Sequence, residues 1–520
     1  MRKCNRTART LRARRWLWGL SLAIVCQAAF AQAMYRIKPL TFPGGCRPSS
    51  PYGMSPEAYS LNDAGQVTGG ACNAQGQEHA FLRQPGGRML DLGPSETGST
   101  SVGQAISPNG RVAGTASDST GKFSFLWSGA GQPMKRIYGG LGGRDVWVAG
   151  IDNHGQFVGS ATLPLNKGEH AFVWMNDGKP MIDLGTFGGS YSSAFGITAT
   201  GLVAGNADVS SDGTPHAFVW KNDGASIRDL GTLGGDFSYA TGMNASGQIV
   251  GGSNTTSGGK PHAFLWRNDG TPMRDLGTLN GDYSYALAVN ALGQVAGQAN
   301  PRPGVNATHA FVWMNDGKPM RDIGSIGGES TSPHSINSSG QVVGEGNPPG
   351  NTTVHVFLWR HDGTKMQDVN DLIDPMDPLQ PYVTLTQAPL INDHGNILAY
   401  GEDRRTGQYS AYLLQGTVLV LAPRSLAFGN QPIGTASAAK PVTVTNTSPK
   451  ATAIASITLN GSAPGQFAYA DDCGSALAGH ATCTINVTFR PTSNGAKSAF
   501  LKVNGGGGGL RSVTLTGNGT

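Results

Sequence analysis

One phrase, His-Ala-Phe-Leu/Val-Trp, recurs through most of the chain and limits its possible folds more than any other feature. It stands at His170–Trp174, His216–Trp220, His262–Trp266 and His309–Trp313. Degenerate copies stand at His79–Phe81, Phe125–Trp127, His355–Trp359 and Tyr412–Leu414. The aromatic anchors are Phe81, Phe125, Phe172, Phe218, Phe264, Phe311, Phe357 and Tyr412, spaced by 44, 47, 46, 46, 47, 46 and 55 residues. A fixed period of this length marks stacked copies of one supersecondary unit: a propeller, a solenoid or an array.

Two further phrases keep the same period. One is Ile336-Asn337-Ser338-Ser339-Gly340-Gln341-Val342-Val343-Gly344, whose turn glycine recurs at Gly65, Gly110, Gly155, Gly201, Gly247, Gly293, Gly340 and Gly395. The other follows the His-Ala-Phe phrase: Asn176-Asp177-Gly178, Met181, Asp183-Leu184-Gly185, then Gly188-Gly189. Each unit reads as four short strands. Strand a ends at Ile-Asn, a tight turn leads to strand b (Gln-Val-Val-Gly), and strand c is His-Ala-Phe-Val-Trp. Asn-Asp-Gly is a hairpin signal leading to strand d, Met-x-Asp-Leu-Gly. Four antiparallel strands in about 46 residues is the size of a propeller blade. Helical repeats of this length need a 3.6-residue apolar period, and the units show none. The high glycine count, 77, suits many short strands and turns.

The last unit lacks strand d, unless Val418–Leu421 serves. The orphan segment Tyr35-Arg36-Ile37-Lys38-Pro39-Leu40, followed by Gly44-Gly45, has the character of a d strand and its loop. Pairing it with Tyr412–Leu414 closes a ring and leaves no edge strand exposed. The expected fold is therefore all-β: a β-propeller of about eight four-stranded blades over residues 34–416, with seven as the fallback. A rolled solenoid is the alternative.

These phrases, with Asp-Leu-Gly-Thr-Leu-Gly-Gly in several units, resemble the bacterial extracellular HAF-repeat family over residues 35–416. The resemblance implies an exported repeat protein and brings no catalytic activity with it. Units one, two and eight depart most. Unit one has Arg83 where Trp is usual, unit two lacks the His, and unit eight lacks both.

From residue 417 the composition turns to Val, Thr, Ser and Ala. Val442-Thr443-Val444-Thr445-Asn446, Cys483–Phe489 and Ala499–Val503 alternate with period two. Seven or eight such strands over 417–520 predict an immunoglobulin-like β-sandwich. Cys473-Gly474, Cys483 and Phe489-Arg490-Pro491 resemble the choice-of-anchor D and ASH/Hydin-type immunoglobulin-like domains, which implies a spacer or adhesion module.

The formal charge of +5 misleads. Arg2, Lys3, Arg6, Arg9, Arg12, Arg14 and Arg15 precede an apolar run from Trp16 to Ala31 and the sites Ala29-Phe30-Ala31 and Ala31-Gln32-Ala33. A basic start, a short apolar run and an A-x-A site predict a cleaved signal peptide at residues 1–33. The run is shorter than the roughly 20 residues that a spanning helix needs. Cleavage removes seven of the 38 basic side chains, fewer than the 33 acidic ones then remain, and no basic patch survives. Nucleic-acid binding needs such a patch and is not expected. The mature chain is expected to be secreted, periplasmic or surface-bound, without an integral membrane segment, and monomeric. Cys46 with Cys72, and Cys473 with Cys483, read as two disulfides of an exported chain, with free thiols as the alternative.

Six histidines, His79, His170, His216, His262, His309 and His355, hold one repeat position. With Phe and Trp at i+2 and i+4 they share one face of strand c and are expected to pack between blades, bonded to backbone. C-x-x-C spacing and clustered histidines are absent, so neither metal nor cofactor is expected. The Asn-Asp-Gly aspartates stand singly, too few oxygens for calcium, and read as turn residues. No G-x-S-x-G or H-E-x-x-H occurs, so no catalytic residue is assigned.

Function is expected where units differ. The d–a and b–c connections vary and leave the ring on one side. The d–a segments carry Tyr191, Phe237, Tyr239, Tyr283 and Tyr285 beside Asp236, Asp282 and Glu329. Aromatics with polar tips suit sugars or protein surfaces, although the same rings also cap blade cores. The expectation is a non-catalytic recognition or scaffold protein that binds glycan or surface protein through this face. The alternatives are a structural or adhesion protein docking through its C-terminal domain, or a lyase or glycosidase built on Asp208, Glu329 and Glu345.

Overall fold

The computed structural model describes residues 35–41 and 57–520, apart from 94–98, 120, 130, 257–258, 306, 351–352, 362, 376, 417–418, 447–450, 480 and 506–509. The expected leader, residues 1–33, and Cys46 lie outside the described residues.

The described residues are all-β, with three short 3₁₀ turns. The repeats form eight four-stranded antiparallel sheets, each in the order a-b-c-d. The fifth sheet shows the pattern: Ser238–Met243, Ile249–Asn254, Pro261–Trp266 and Arg274–Asp275. Strand d is short because the chain after Asp-Leu-Gly turns away into the next unit. The eighth sheet takes its d strand from the front of the chain. Tyr35–Pro39 pairs antiparallel with Gln408–Gly416, in the register Ile37 to Leu414 and Pro39 to Tyr412. The other candidate for that place serves elsewhere: Leu419–Ala422 joins the C-terminal sandwich.

Strand c sets the packing. Alternation along a strand sends Phe218 and Trp220 to one face and Ala217 and Val219 to the other. Phe218 and Trp220 pack on Val158, Ala171 and Val173 of the third sheet. Ala217 and Val219 pack under Phe264 and Trp266 of the fifth. The six seams from the first sheet to the seventh thus take two large rings from the later sheet and Ala, Val or Leu from the earlier one. Phe218, Phe264 and Phe311 are fully buried, worth roughly 1.5–3 kcal/mol each. The glycine ending the Val-Val-Gly phrase makes room for the ring: a Cβ on Gly205 would lie 2.5 Å from the Phe218 ring and 2.2 Å from the Ser193 carbonyl oxygen. Leu398, Ala411 and Leu413 of the eighth sheet, with Leu40 just past its front strand, pack with Ala58, Val67 and Phe81 of the first.

Polar staples cross the seams. Ser238, at the start of strand a in the fifth sheet, accepts from Ala217 N at 3.0 Å and donates to Gly231 O at 2.7 Å. Ser192 and Ser284 make the same pair of bonds. At the other end of strand a, the turn asparagine donates to the equivalent carbonyl of the next sheet: Asn244 to Asn290 (2.8 Å), Asn290 to Asn337 (2.8 Å) and Asn337 to Asn392 (3.1 Å).

The six histidines depart in part from expectation. Each pairs with a carboxylate on strand d of the same sheet, and His216 also bonds the backbone of Asp236, the kind of partner expected. His170 Nδ1 meets Asp183 at 2.9 Å, His216 meets Asp229 at 2.8 Å and His309 meets Asp322 at 2.8 Å. His79, His262 and His355 pair likewise with Asp91, Asp275 and Asp368. The aspartate of Asp-Leu-Gly also accepts from the glycine amide two residues on, at 2.7 Å for Asp229 and Gly231. The recurrent Asp and the recurrent His are therefore one structural unit.

The C-terminal residues form a sandwich of two four-stranded sheets with a small two-stranded pair. One sheet holds Leu419–Ala422, Lys440–Asn446, Thr482–Phe489 and Phe467–Asp471. The other holds Ser425–Gln431, Leu510–Gly519, Gly495–Asn504 and Ser456–Asn460. Phe428, Phe467 and Phe489 meet at its centre, with Phe467 and Phe489 centroids 4.9 Å apart. Cys473 and Cys483 form a disulfide. Cys72 is also disulfide-bonded. No helix among the described residues is long and apolar enough to cross a membrane.

Candidate functional site

Strand a starts at the end of each sheet where the long d–a and b–c connections lie. Tyr239 and Tyr285 sit on this strand, as the second residues of Ser238–Met243 and Ser284–Val289, and not in the d–a loops as expected. Tyr191, Phe237 and Tyr283 precede those strands in the connections. Phe237 stacks parallel to Tyr239 with centroids 6.5 Å apart, and Tyr283 lies 6.2 Å from Tyr285. The Tyr239 phenol is held above its usual range by burial and by nearby Tyr191, against a hydrogen bond with Asn206. Tyr285 is pushed further up by burial, with Tyr283 and Tyr239 as neighbours. These five rings thus lie at the same end of the fourth, fifth and sixth sheets, as two ring pairs with Tyr191 near Tyr239.

These rings are built on the seams. A Cβ on Gly252 would lie 2.4 Å from the Tyr285 ring, so only glycine on strand b of the fifth sheet lets that ring lie down. Asn206 holds the backbone of Ala240 through both amide atoms, at 2.7 and 2.9 Å, beside Tyr239. Tyr285 is therefore a partly buried wall. Tyr191 and Tyr239 remain exposed, by 40% and 36%.

The aspartates proposed with them are engaged. Asp282 accepts from Lys260 at 2.7 Å and Asn300 at 2.6 Å, and Asp236 accepts from Asn254 at 3.0 Å. Lys260 and Asn300 hold the Asp282 carboxyl below its usual range. Both aspartates tie a d–a connection to the adjoining b–c connection.

Asp208 belongs to the fourth sheet, and Glu329 and Glu345 belong to the seventh unit. Asp208 is buried beside Asp212 and is raised by burial and that charge. Glu345 lies in the seventh sheet, 4.0 Å from His334. Glu329 is exposed in the connection before Thr331–Ile336.

Trp147 is a further member of this face that sequence reasoning passed over. It is exposed by 44% and pairs with Ser160, as Tyr239 pairs with Gly252 and Tyr285 with Gln298. It stands as far before Phe172 as Tyr239 stands before Phe264. Aligning strand a on the strand c anchor would have found it.

Residues 417–513 match the ASH family (abnormal spindle-like microcephaly-associated, ASPM-SPD-2-Hydin). The C-terminal sandwich is thus an ASH domain. The ASH/PapD-like domain 7 of human CEP192 is similar at 15% identity, over 20% of this chain and 86% of that one, with a TM-score of 0.16. TolB from Acinetobacter baumannii is similar at 9% identity, over 59% of this chain and 80% of that one, TM-score 0.30. A puromycin hydrolase is similar at 11% identity, over 69% of this chain and 61% of that one, TM-score 0.41. No curated protein matches the chain.

Proposed function

We propose that this is an exported recognition protein in which eight HAF-type repeats form a closed propeller, and that the loop-rich face of that ring binds an extracellular or envelope glycan. The observation that carries this reading is the placing of Tyr191, Phe237, Tyr239, Tyr283 and Tyr285 at the same end of three sheets. An aromatic ring offers a sugar an apolar face, and a phenol adds a polar tip. Closure is supported by the front strand paired into the eighth sheet and by the apolar seam between the eighth and first sheets. Export is supported by the leader-like residues 1–33 and by the disulfide-bonded Cys72, Cys473 and Cys483. In this reading the chain acts without catalysis, as a monomer.

A second reading, docking through the ASH domain, is favoured by the exposed Ile433 and Phe500 on the sandwich. A glycan and envelope-polymer array separates the two. Binding by residues 34–520 that is lost in Tyr239→Ala/Tyr285→Ala supports the propeller face. Binding that survives those changes and disappears on deletion of 417–520 supports the second reading.

A further inference from the structure

The loop-rich face carries a cavity that the five aromatic rings do not use. Its volume is about 530 Å³ and its lining is Gly121, Lys122, Gly143, Arg144 and Asp145. That is within the usual range for a small-molecule site, roughly 300–1,000 Å³. Gly121–Trp127 is strand c of the second sheet, and Gly143–Asp145 is the connection entering the third. Trp147 stands two residues beyond Asp145 on Val146–Ile151, at the strand position that Tyr239 and Tyr285 hold in the fifth and sixth sheets.

The cavity is constructed rather than incidental. Gly143 donates to Thr162 O at 3.0 Å, and a Cβ there would lie 2.1 Å from that oxygen. Thr162 also accepts from Asp145 N through its hydroxyl at 3.0 Å, and donates to Asp145 O through its amide at 3.0 Å. The connection is thereby clamped to strand b, and Arg144 is held between two fixed residues. Asp145 is paired with Lys122. Arg144 is exposed and makes no ion pair or hydrogen bond among the described residues. The balance is one uncompensated positive charge. A guanidinium fork matches a planar carboxylate in two parallel hydrogen bonds.

We propose that the ligand is an acidic polysaccharide, a uronate-containing chain whose carboxylate sits at Arg144 while its sugar rings lie along Trp147, Tyr239 and Tyr285. This rests on the reading of the loop-rich face as a glycan site and adds the charge and the class of the sugar. A single uncompensated guanidinium, without a Lys/Arg run, suits one carboxylate per contact and not a densely charged backbone.

The test uses the chain from residue 34 to 520 against four probes: an oligogalacturonate, a neutral cello-oligosaccharide of equal length, poly(glycerol phosphate) and oligothymidylate. The proposal expects tightest binding to the oligogalacturonate, weakening as salt rises. Arg144→Gln should weaken that binding about ten-fold, equivalent to one charge-assisted contact, and leave cello-oligosaccharide binding unchanged. Trp147→Ala should weaken binding of both sugars. Arg144 is exposed, so an unchanged melting temperature shows that its variant is folded. Equal binding of both sugars, indifferent to Arg144→Gln, overturns the acidic-sugar proposal and leaves the glycan reading standing. Tighter binding of poly(glycerol phosphate) or oligothymidylate than of either sugar overturns both. Failure to bind any of the four removes the face as a polymer site.

Discussion

Asn392 donates through Nδ2 to the carbonyl oxygen of Asn62 at 3.0 Å, although 330 residues separate them. This bond has the form of those from Asn244 to Asn290 and from Asn290 to Asn337, which join sheets adjacent in sequence. The seam between the eighth and first sheets is thus fastened as are those from the fifth sheet to the eighth. Tyr400 reinforces it by donating to Ala58 O.

The front strand should be indispensable to the eighth sheet. Tyr35 and Ile37 are almost completely buried against Val356 and Leu358 of the seventh sheet, and Leu40 is buried against the first, worth roughly 5 kcal/mol together. Removing residues 34–40 also strips the partner from Gln408–Gly416 and bares an edge. The truncated chain should melt well below the full one and form oligomers in size-exclusion chromatography. A monomer of unchanged melting temperature would argue against closure.

The seam serines allow an internally controlled comparison. Ser238→Ala removes the partner of two buried backbone groups, at a cost of about 1–3 kcal/mol. Thr331 takes the equivalent place in the seventh sheet, but its hydroxyl makes no hydrogen bond. Thr331→Val should therefore be close to neutral in urea unfolding. Equal losses at the two positions would contradict the staple.

The His–Asp pairs predict a pH window. Hydrogen bonding to Asp229 raises His216 above the usual imidazole range, with burial opposing. Burial pushes Asp229 up, but bonds from His216 and Gly231 outweigh it and hold the carboxyl below its usual range. The raised histidine stabilises fully below its unfolded pKa, about 6.5, and that stability fades as pH rises through the folded value. The depressed aspartate stabilises above its unfolded pKa, and that fades as pH falls through its folded value. The difference between wild type and His216→Gln should peak near pH 5 and shrink toward pH 8 and toward pH 2. Half-exposure of Asp229 limits it to about 1 kcal/mol. A difference that is flat with pH would show that the pair is not ionic.

The ASH domain should lose stability alone when its disulfide is removed. Cys473 and Cys483 are ten residues apart, and a loop of that size is worth about 3 kcal/mol. Cys473→Ala/Cys483→Ala should lower the melting transition of residues 417–520 and leave the repeat transition in place. A shift of both transitions would mean that the two parts unfold together.

The repeat made strands b and c legible because their phrases are nearly invariant and alternate with period two. The role of Tyr35–Pro39 was legible because the last unit lacked a d strand. The His–Asp pairing was not, because His170 and Asp183 belong to different strands and meet only through the hairpin register. The placement of Tyr239 and Trp147 on strand a was missed for a related reason. Every strand a carries a bulge, between Val148 and Gly150 in the third sheet and between Ala240 and Gly242 in the fifth. An extra residue interrupts the alternation that would have marked the strand. Ser192, Ser238 and Ser284 look like loop residues in the sequence, and only the neighbouring sheet gives them their partners.

The central claim is that the loop-rich face recognises a glycan, and hydrogen–deuterium exchange of residues 34–520 tests it most directly. The chain would be compared free and saturated with the tightest-binding polymer from the array. The account predicts new protection at the starts of the third, fifth and sixth sheets, around Asp145–Val148, Phe237–Ala240 and Tyr283–Ala286, with residues 417–520 unchanged. Protection confined to 417–520, or spread along strand d away from that face, would contradict it.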